Sequence, residues 1–261
     1  MPKFAANLSF VFQEVEFLDR FAAAAACGFK AIEYLTPYDH PPEVIAEQLH
    51  RHGLEQALFS MPPGDWAGGE RGIGALPGRE QEFRDGVETA LAYARATRCP
   101  LLHAMAGVLP AGRDRAEAER VYLTNLRHAA DRLAGEGITL IIEPINTRDI
   151  PGYFLNTTSH AMSIIERVGQ PNLKLQLDLY HVQIMEGDLA HHIRALAGHY
   201  PHVQIAGNPG RNEPDVGEIN YPYLFDLLDE LNYAGWIGCE YRPIGETRAG
   251  LGWARRYGIG G

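Results

Sequence analysis

The sequence predicts a parallel (β/α)8 barrel, and three observations predict it. The chain has 261 residues, and such a barrel needs about 250. Eight strand-like runs alternate with eight helix-like runs, and no linker or low-complexity stretch divides them. Four of the later strand-like runs end on a carboxylate or carboxamide, at Glu143, Asp178, Gln204 and Glu240, with intervals of 35, 26 and 36 residues. That is the spacing of successive βα units. It sends the four side chains to one end of one sheet, the carboxyl face where barrel enzymes carry their chemistry. An open doubly wound sheet is the alternative, but a closed ring accounts better for polar residues spread evenly over the late strands. The expectation is one domain spanning residues 1–261.

Each element has its own signal. Phe4 to Leu8 reads as a first strand. Leu18, Phe21, Ala22 and Ala25 follow at helical spacing, and Gly28 ends that helix. Phe29 to Tyr34 reads as a second strand with Glu33 near its end. Asp39 and Pro41-Pro42 open a second helix that Gly53 closes. Leu54 to Phe59 is the third strand. Ser60 to Gly78, rich in Gly and Pro, is too long for a plain connection and reads as a functional loop or lid. No strand–GxGxxG–helix arrangement occurs, which argues against a phosphate cradle.

Glu80 to Arg98 reads as a helix, Leu101 to Met105 as a strand carrying His103, and Asp114 to Leu133 as a long helix. Ile138-Thr139-Leu140-Ile141-Ile142 is a continuous apolar run, as in a strand buried on both faces, and Glu143-Pro144 stops it. Thr157 or Thr158 caps the next helix and Gly169 ends it. The sixth strand runs into Asp178, with Tyr180 and His181 just beyond. Asp188 to Ala197 is a helix, and the seventh strand holds Gln204. After the polar loop 207–214, Leu224, Leu227, Leu228 and Leu231 mark a helix face. The eighth strand ends at Glu240, and Thr247 to Tyr257 is a last helical stretch.

Composition narrows the function. A formal charge of −10 argues against a non-specific nucleic-acid binder. Three scattered cysteines without a CxxC pair argue against a disulfide framework or zinc knuckle, and a reducing cytoplasm fits them. The N-terminal residues lack the apolar stretch of a signal peptide, and no run approaches the roughly 18 apolar residues of a membrane span. A small-molecule substrate is expected, with neither a nucleic acid nor a membrane as partner. Tyr221 and Tyr223 read as rim or interface residues. With Trp236 and Trp253 they offer a surface for a homo-oligomer.

The strand-end set carries the chemistry. Glu143, Asp178, Gln204 and Glu240 offer oxygen ligands, which hard cations such as Mg²⁺ or Mn²⁺ prefer. Three close carboxylates repel one another and raise one another's pKa, and a divalent cation removes that conflict. Two glutamates flanking such a cation suit proton transfer beside a carbonyl: one takes the α-proton and the other returns a proton to the neighbouring carbon. That is aldose–ketose isomerisation, with Glu143 and Glu240 as the pair. For substrate binding the candidates are His181, Arg211 as a carboxylate clamp, His103 and Glu33. Each has a plainer reading: a surface loop histidine, an exposed loop arginine, a satisfied core histidine, and a carboxylate orienting a neighbour.

Several stretches resemble the hydroxypyruvate isomerase family of xylose-isomerase-like barrels: Phe4-Ala5-Ala6-Asn7-Leu8-Ser9, Gly69-Glu70-Arg71-Gly72-Ile73, Pro77-Gly78-Arg79-Glu80, Ile142-Glu143-Pro144-Ile145-Asn146, Gly217-Glu218-Ile219-Asn220-Tyr221 and Gly238-Cys239-Glu240-Tyr241. The resemblance spans nearly the whole chain. It implies a TIM barrel of the α/β class, an intramolecular oxidoreductase of carbohydrate metabolism, Glu143 and Glu240 as proton donor and acceptor, and Mg²⁺ held at Glu143, Asp178, Gln204 and Glu240. Many relatives in the wider superfamily use His where this chain has the neutral Gln204, so looser metal binding is expected. His103-Ala104-Met105-Ala106-Gly107 and Gln204-Ile205-Ala206-Gly207 are similar to the branch that acts on 2-oxo-tetronate. The same superfamily includes metal-dependent endonucleases, and a non-catalytic sugar-acid binder on this scaffold is a third reading.

Overall fold

The computed structural model describes residues 1–260. Among them are eight strands: β1 (Lys3–Asn7), β2 (Ala31–Tyr34), β3 (Glu55–Ser60), β4 (Leu101–His103), β5 (Thr139–Ile142), β6 (Leu173–Asp178), β7 (His202–Ile205) and β8 (Trp236–Cys239). They close in sequence order into a barrel, and the pairings are parallel. The helices are α1 (Asp19–Ala26), α2 (Pro42–His52), α3 (Glu80–Thr97), α4 (Arg115–Ala134), α5 (Thr158–Val168), α6 (Leu179–Met185), α7 (Leu189–Ala195), α8 (Tyr221–Glu230) and α9 (Thr247–Gly250), followed by a 3₁₀ segment Leu251–Tyr257. Among the described residues no helix is long and apolar enough to cross a membrane.

Two compact units make up the chain. The first comprises Met1–Ala57 and the chain from Leu177 onward. Here β1 lies between β2 and β8, with Ala6 opposite both Ile32 and Cys239. Asn7 pairs with Glu33, and Gln204 of β7 pairs with Gly238 of β8, so four strand ends lie in matched register. Small residues at Ala5, Ala6 and Ala31 are fully buried where these strands meet. Behind them, the Phe4 ring meets those of Phe225 and Trp253 edge to face, with centroids 5.2 Å apart in both pairs.

The second unit is Leu58–Gln176. Its strands β4 and β5 pair with His103 opposite Ile141. Thr157 caps α5 by accepting the His160 amide at 3.2 Å, and Gly169 ends it with φ 72°. The loop 60–78 is pinned down within this unit. Gly72 bridges Ala106 just beyond β4, and Asn125 of α4 donates to the Gly74 carbonyl at 2.9 Å. A Cβ on Gly72, whose φ is +100°, would sit 2.3 Å from the Met105 Cβ. Only glycine permits that approach.

Several expectations need correction. Strand β2 begins at Ala31, not Phe29, and β1 stops at Asn7, although the Leu8 amide still donates to the Glu33 carbonyl of β2 at 2.7 Å. Strands β5 and β8 each end one residue before their glutamate. Asp39 does not cap α2, whose N-cap is Pro41. His181 is not in a loop: it lies in α6, a helix the sequence pattern did not reveal, and is buried. Tyr221 is not a rim residue. It opens α8 and is buried, its hydroxyl donating to the Ala206 carbonyl at 2.8 Å and accepting the Ala206 amide at 3.1 Å. Tyr223, on another face of the same turn, is half exposed. The last helical stretch is one α turn that tightens into 3₁₀ geometry.

Candidate active site

In the first unit, register and burial assemble a polar network from strand-end residues. Asn7, Glu33, Asp178, His181, His202, Gln204, Arg211 and Glu240 are all buried. Most buried polar groups of this kind are hydrogen-bonded, and here Glu33 Oε2 and both His202 nitrogens meet no partner in hydrogen-bonding geometry among the described residues. Glu33 Oε1 accepts from Asn7 Nδ2 at 2.9 Å and from Gln204 Nε2 at 2.7 Å. Its Oε2 lies 2.6 Å from His202 Nε2. Glu240 Oε2 accepts from the same two amides, at 2.8 Å from Asn7 and 2.6 Å from Gln204. Glu240 Oε1 accepts from Arg211 Nη2 at 2.5 Å. Two carboxylates are therefore bridged by two NH2 groups, each using both hydrogens.

Gly238 makes room for this arrangement. A Cβ there would lie 2.3 and 2.4 Å from the two Glu33 oxygens. Gly238→Ala is expected to lose about 1–3 kcal/mol of stability by overpacking, measured by denaturant unfolding. Unchanged stability would show that Glu33 moves aside freely.

Arg211 adopts φ 55°, a left-handed conformation unusual for arginine. Its guanidinium lies over the rings of Phe10 and Tyr180, 4.8 and 5.1 Å from their centroids, and its Nη2 is 3.5 Å from His181 Nε2. Asp178 ends β6 and caps α6 at once. Its Oδ1 accepts the amides of Tyr180 at 2.7 Å and His181 at 3.2 Å, while Oδ2 is 3.6 Å from His181 Nε2. Burial raises the Asp178 carboxyl above its ordinary range, against the lowering effect of Arg211 and the two backbone amides. Burial also raises Glu240, with the charges of Asp178 and Glu33 adding to the rise and Arg211 and Gln204 opposing it. A rise in this direction is what a group that both accepts and donates a proton needs.

In the second unit Glu143 follows β5 and is buried. Its Oε2 is 3.8 Å from His103 Nε2, and His103 Nδ1 is 3.3 Å from the Ser60 hydroxyl. The Glu143 charge adds to burial in raising the Tyr153 phenol, whose oxygen accepts the Ala106 amide at 2.9 Å.

Of the residues singled out in the sequence, the first unit brings Glu33, Asp178, His181, Gln204, Arg211 and Glu240 into one network, and the second sets Glu143 beside His103. Arg211 is buried rather than exposed, and its Nη2 pairs with Glu240. Asn7 and His202 were not singled out. The signal for His202 was available: it lies two residues before Gln204, so the two share a face of β7. Burial and like charge press the Asp178 and Glu240 carboxyls toward their protonated forms, a conflict that a nearby cation would remove.

Comparison with known proteins fits this geometry. The family model described as "Xylose isomerase-like TIM barrel" matches residues 21–257. The 2-oxo-tetronate isomerase of Cupriavidus necator is 55% identical over 257 residues, covering 98% of this chain and 99% of that protein. The hydroxypyruvate isomerase of Escherichia coli is 48% identical, covering 98% of this chain and 100% of that protein. A crystal structure from Brucella melitensis described as an AP endonuclease of family 2 superposes with a TM-score of 0.97 at 54% identity, covering 98% of this chain and 99% of that one.

Proposed function

The chain belongs to the hydroxypyruvate isomerase family of xylose isomerase-like TIM barrels, and from that premise we propose that it is an isomerase of a small 2-oxo-hydroxy acid, 2-oxo-tetronate or hydroxypyruvate, working by proton transfer between Glu143 and Glu240. The observation that carries the reading is the Glu240 carboxyl: buried, raised toward neutrality, and fixed by Arg211, Asn7 and Gln204.

One glutamate removes the proton from the hydroxyl-bearing carbon beside the carbonyl, giving an enediol. The other delivers a proton to the former carbonyl carbon, and the hydroxyl proton passes between the two oxygens. Carbonyl and hydroxyl have then exchanged places with no net gain or loss of atoms. Glu143, Asp178, Gln204 and Glu240 would hold a divalent cation, Mg²⁺ first and Mn²⁺ second, with His181 as a further donor beside Asp178. When bound, the cation polarises the carbonyl and steadies negative charge on its oxygen. Arg211, at Glu240, and His103, beside Glu143, are the cationic and hydrogen-bonding groups for the substrate's carboxylate and hydroxyls. The protein acts on a soluble metabolite in carbohydrate metabolism, in the cytoplasm.

The test is proton NMR in D₂O with each acid offered separately, with Mg²⁺ and with EDTA. Isomer carrying α-deuterium is expected, with faster turnover of 2-oxo-tetronate and loss of turnover in EDTA. Neither product nor deuterium from either acid would remove this reading. A second reading, cleavage of DNA at abasic sites, is favoured by the description of the Brucella relative. The net charge of −10 weighs against it, and nicking of abasic-site DNA by the same preparation would establish it.

A further inference from the structure

The bridge between Glu33 and Glu240 fixes the orientation of Gln204. An amide offers a nitrogen that cannot bind a cation and an oxygen that can. Which end faces outward is set by its neighbours. Here Gln204 Nε2 donates to Glu33 Oε1 at 2.7 Å and to Glu240 Oε2 at 2.6 Å, so both hydrogens are taken by carboxylates. The flipped amide would set its oxygen against both carboxylate oxygens and leave its nitrogen facing away from them. Glu240 alone would be a weak reason to hold this orientation, since it must move protons during the reaction. Glu33 is the constant partner. It is fully buried, its Oε1 also receives Asn7 Nδ2 at 2.9 Å, and its Oε2 lies 2.6 Å from the equally buried His202 Nε2. Gly238 leaves the space that lets it stand there.

We propose that Glu33, backed by His202, is a positioning residue that locks the Gln204 amide with its nitrogen toward Glu33 and Glu240, so that the oxygen is the atom offered to a divalent cation. This rests on the reading of Gln204 as a metal ligand. It explains how a neutral carboxamide serves in a ligand set: the lock removes the half of its orientations that would point NH2 at a cation. The partner residue that orients a ligand typically controls about 10–100-fold in metal affinity.

The experiment measures Mn²⁺ binding to substrate-free protein by electron paramagnetic resonance, alongside thermal melts, for wild type, Glu33→Gln, Gln204→Glu and the double variant. Glu33→Gln is nearly isosteric but can turn its own NH2 toward Gln204, which frees the ligand amide to flip. Mn²⁺ affinity is expected to fall about 10–100-fold. The double variant exchanges donor and acceptor: the amide is now at position 33 and donates to a carboxylate at position 204. Its Mn²⁺ affinity is expected to return to wild-type strength or better. A Glu33→Gln protein that melts lower yet binds Mn²⁺ as the wild type does would show a merely structural role and overturn the proposal. If Glu33→Gln does not fold, the double variant decides by comparison with Gln204→Glu alone. Equal Mn²⁺ affinity in the two supports the lock, because a carboxylate at 204 offers oxygen in either orientation and needs none. A double variant that binds about 10-fold more weakly or does not fold overturns it. Wild-type protein that binds no Mn²⁺ at all overturns the metal reading itself, a result distinct from the others.

Discussion

Glu240→Gln is expected to fold and to lose turnover by about 10²–10⁴-fold on either acid, the usual contribution of a positioned acid–base group. The amide matches the carboxylate in shape, so the cavity stays filled. One of the donors now on Glu240, either Arg211 or the Asn7 and Gln204 amides, loses its acceptor. That costs about 1–3 kcal/mol, and the removal of a buried charge offsets part of it. Folding therefore survives while proton transfer does not. The deuterium pattern separates the two glutamates. Suppose Glu143 removes the proton and Glu240 returns one. Glu240→Gln would then still wash deuterium into unreacted substrate without forming isomer, while Glu143→Gln would do neither in that direction. Each variant is followed by NMR in D₂O with a thermal melt to confirm folding. Full turnover by Glu240→Gln would withdraw its assigned role.

The barrel was legible because its strands are short apolar runs, separated by helices with plain boundary residues. Pro42, Gly53, Thr157 and Gly169 sit where the sequence places them. Asp178 was harder to read, since one residue does two jobs. It ends β6 and caps α6 in the same step, and a seven-residue helix is too short to show a clear 3.6-residue period. That is why His181 looked like a loop residue. Tyr221 was misjudged because an aromatic at a helix start gives no sign of which way it points; the Ala206 backbone, 15 residues earlier, decides that. The strand-end acids could be named from spacing alone. Their partners could not, because the Asn7–Glu240 and Glu33–Gln204 bonds join residues 233 and 171 positions apart. Only the register of β1 against β2 and β8, and of β7 against β8, brings them together.

Without a divalent cation, thermal stability is expected to fall as pH rises from about 4.5 to about 8. Burial raises Asp178 from 3.8 to about 6 and Glu240 from 4.5 to about 8. Between the unfolded and folded values the folded state holds more protons than the unfolded chain, so stability decreases with pH. The contribution is fully present below the unfolded values and is lost as pH climbs through the folded ones. Surface carboxyls work in the opposite sense at a different place. Glu70 and Glu119 are held low chiefly by Arg79 and Arg167, so what they contribute is lost only below about 4.5 and leaves the higher window clear. Melts across that window, with and without excess Mg²⁺, test the expectation. Glu240→Gln should flatten the upper part of the curve by removing one titrating group. Saturating Mg²⁺ should flatten it in the wild type, because a cation bound at these carboxyls compensates the buried charge that ionisation creates. A metal-free curve already flat between about pH 5 and 8 would mean that Arg211 neutralises Glu240 completely. The acid–base role would then rest on Glu143 alone.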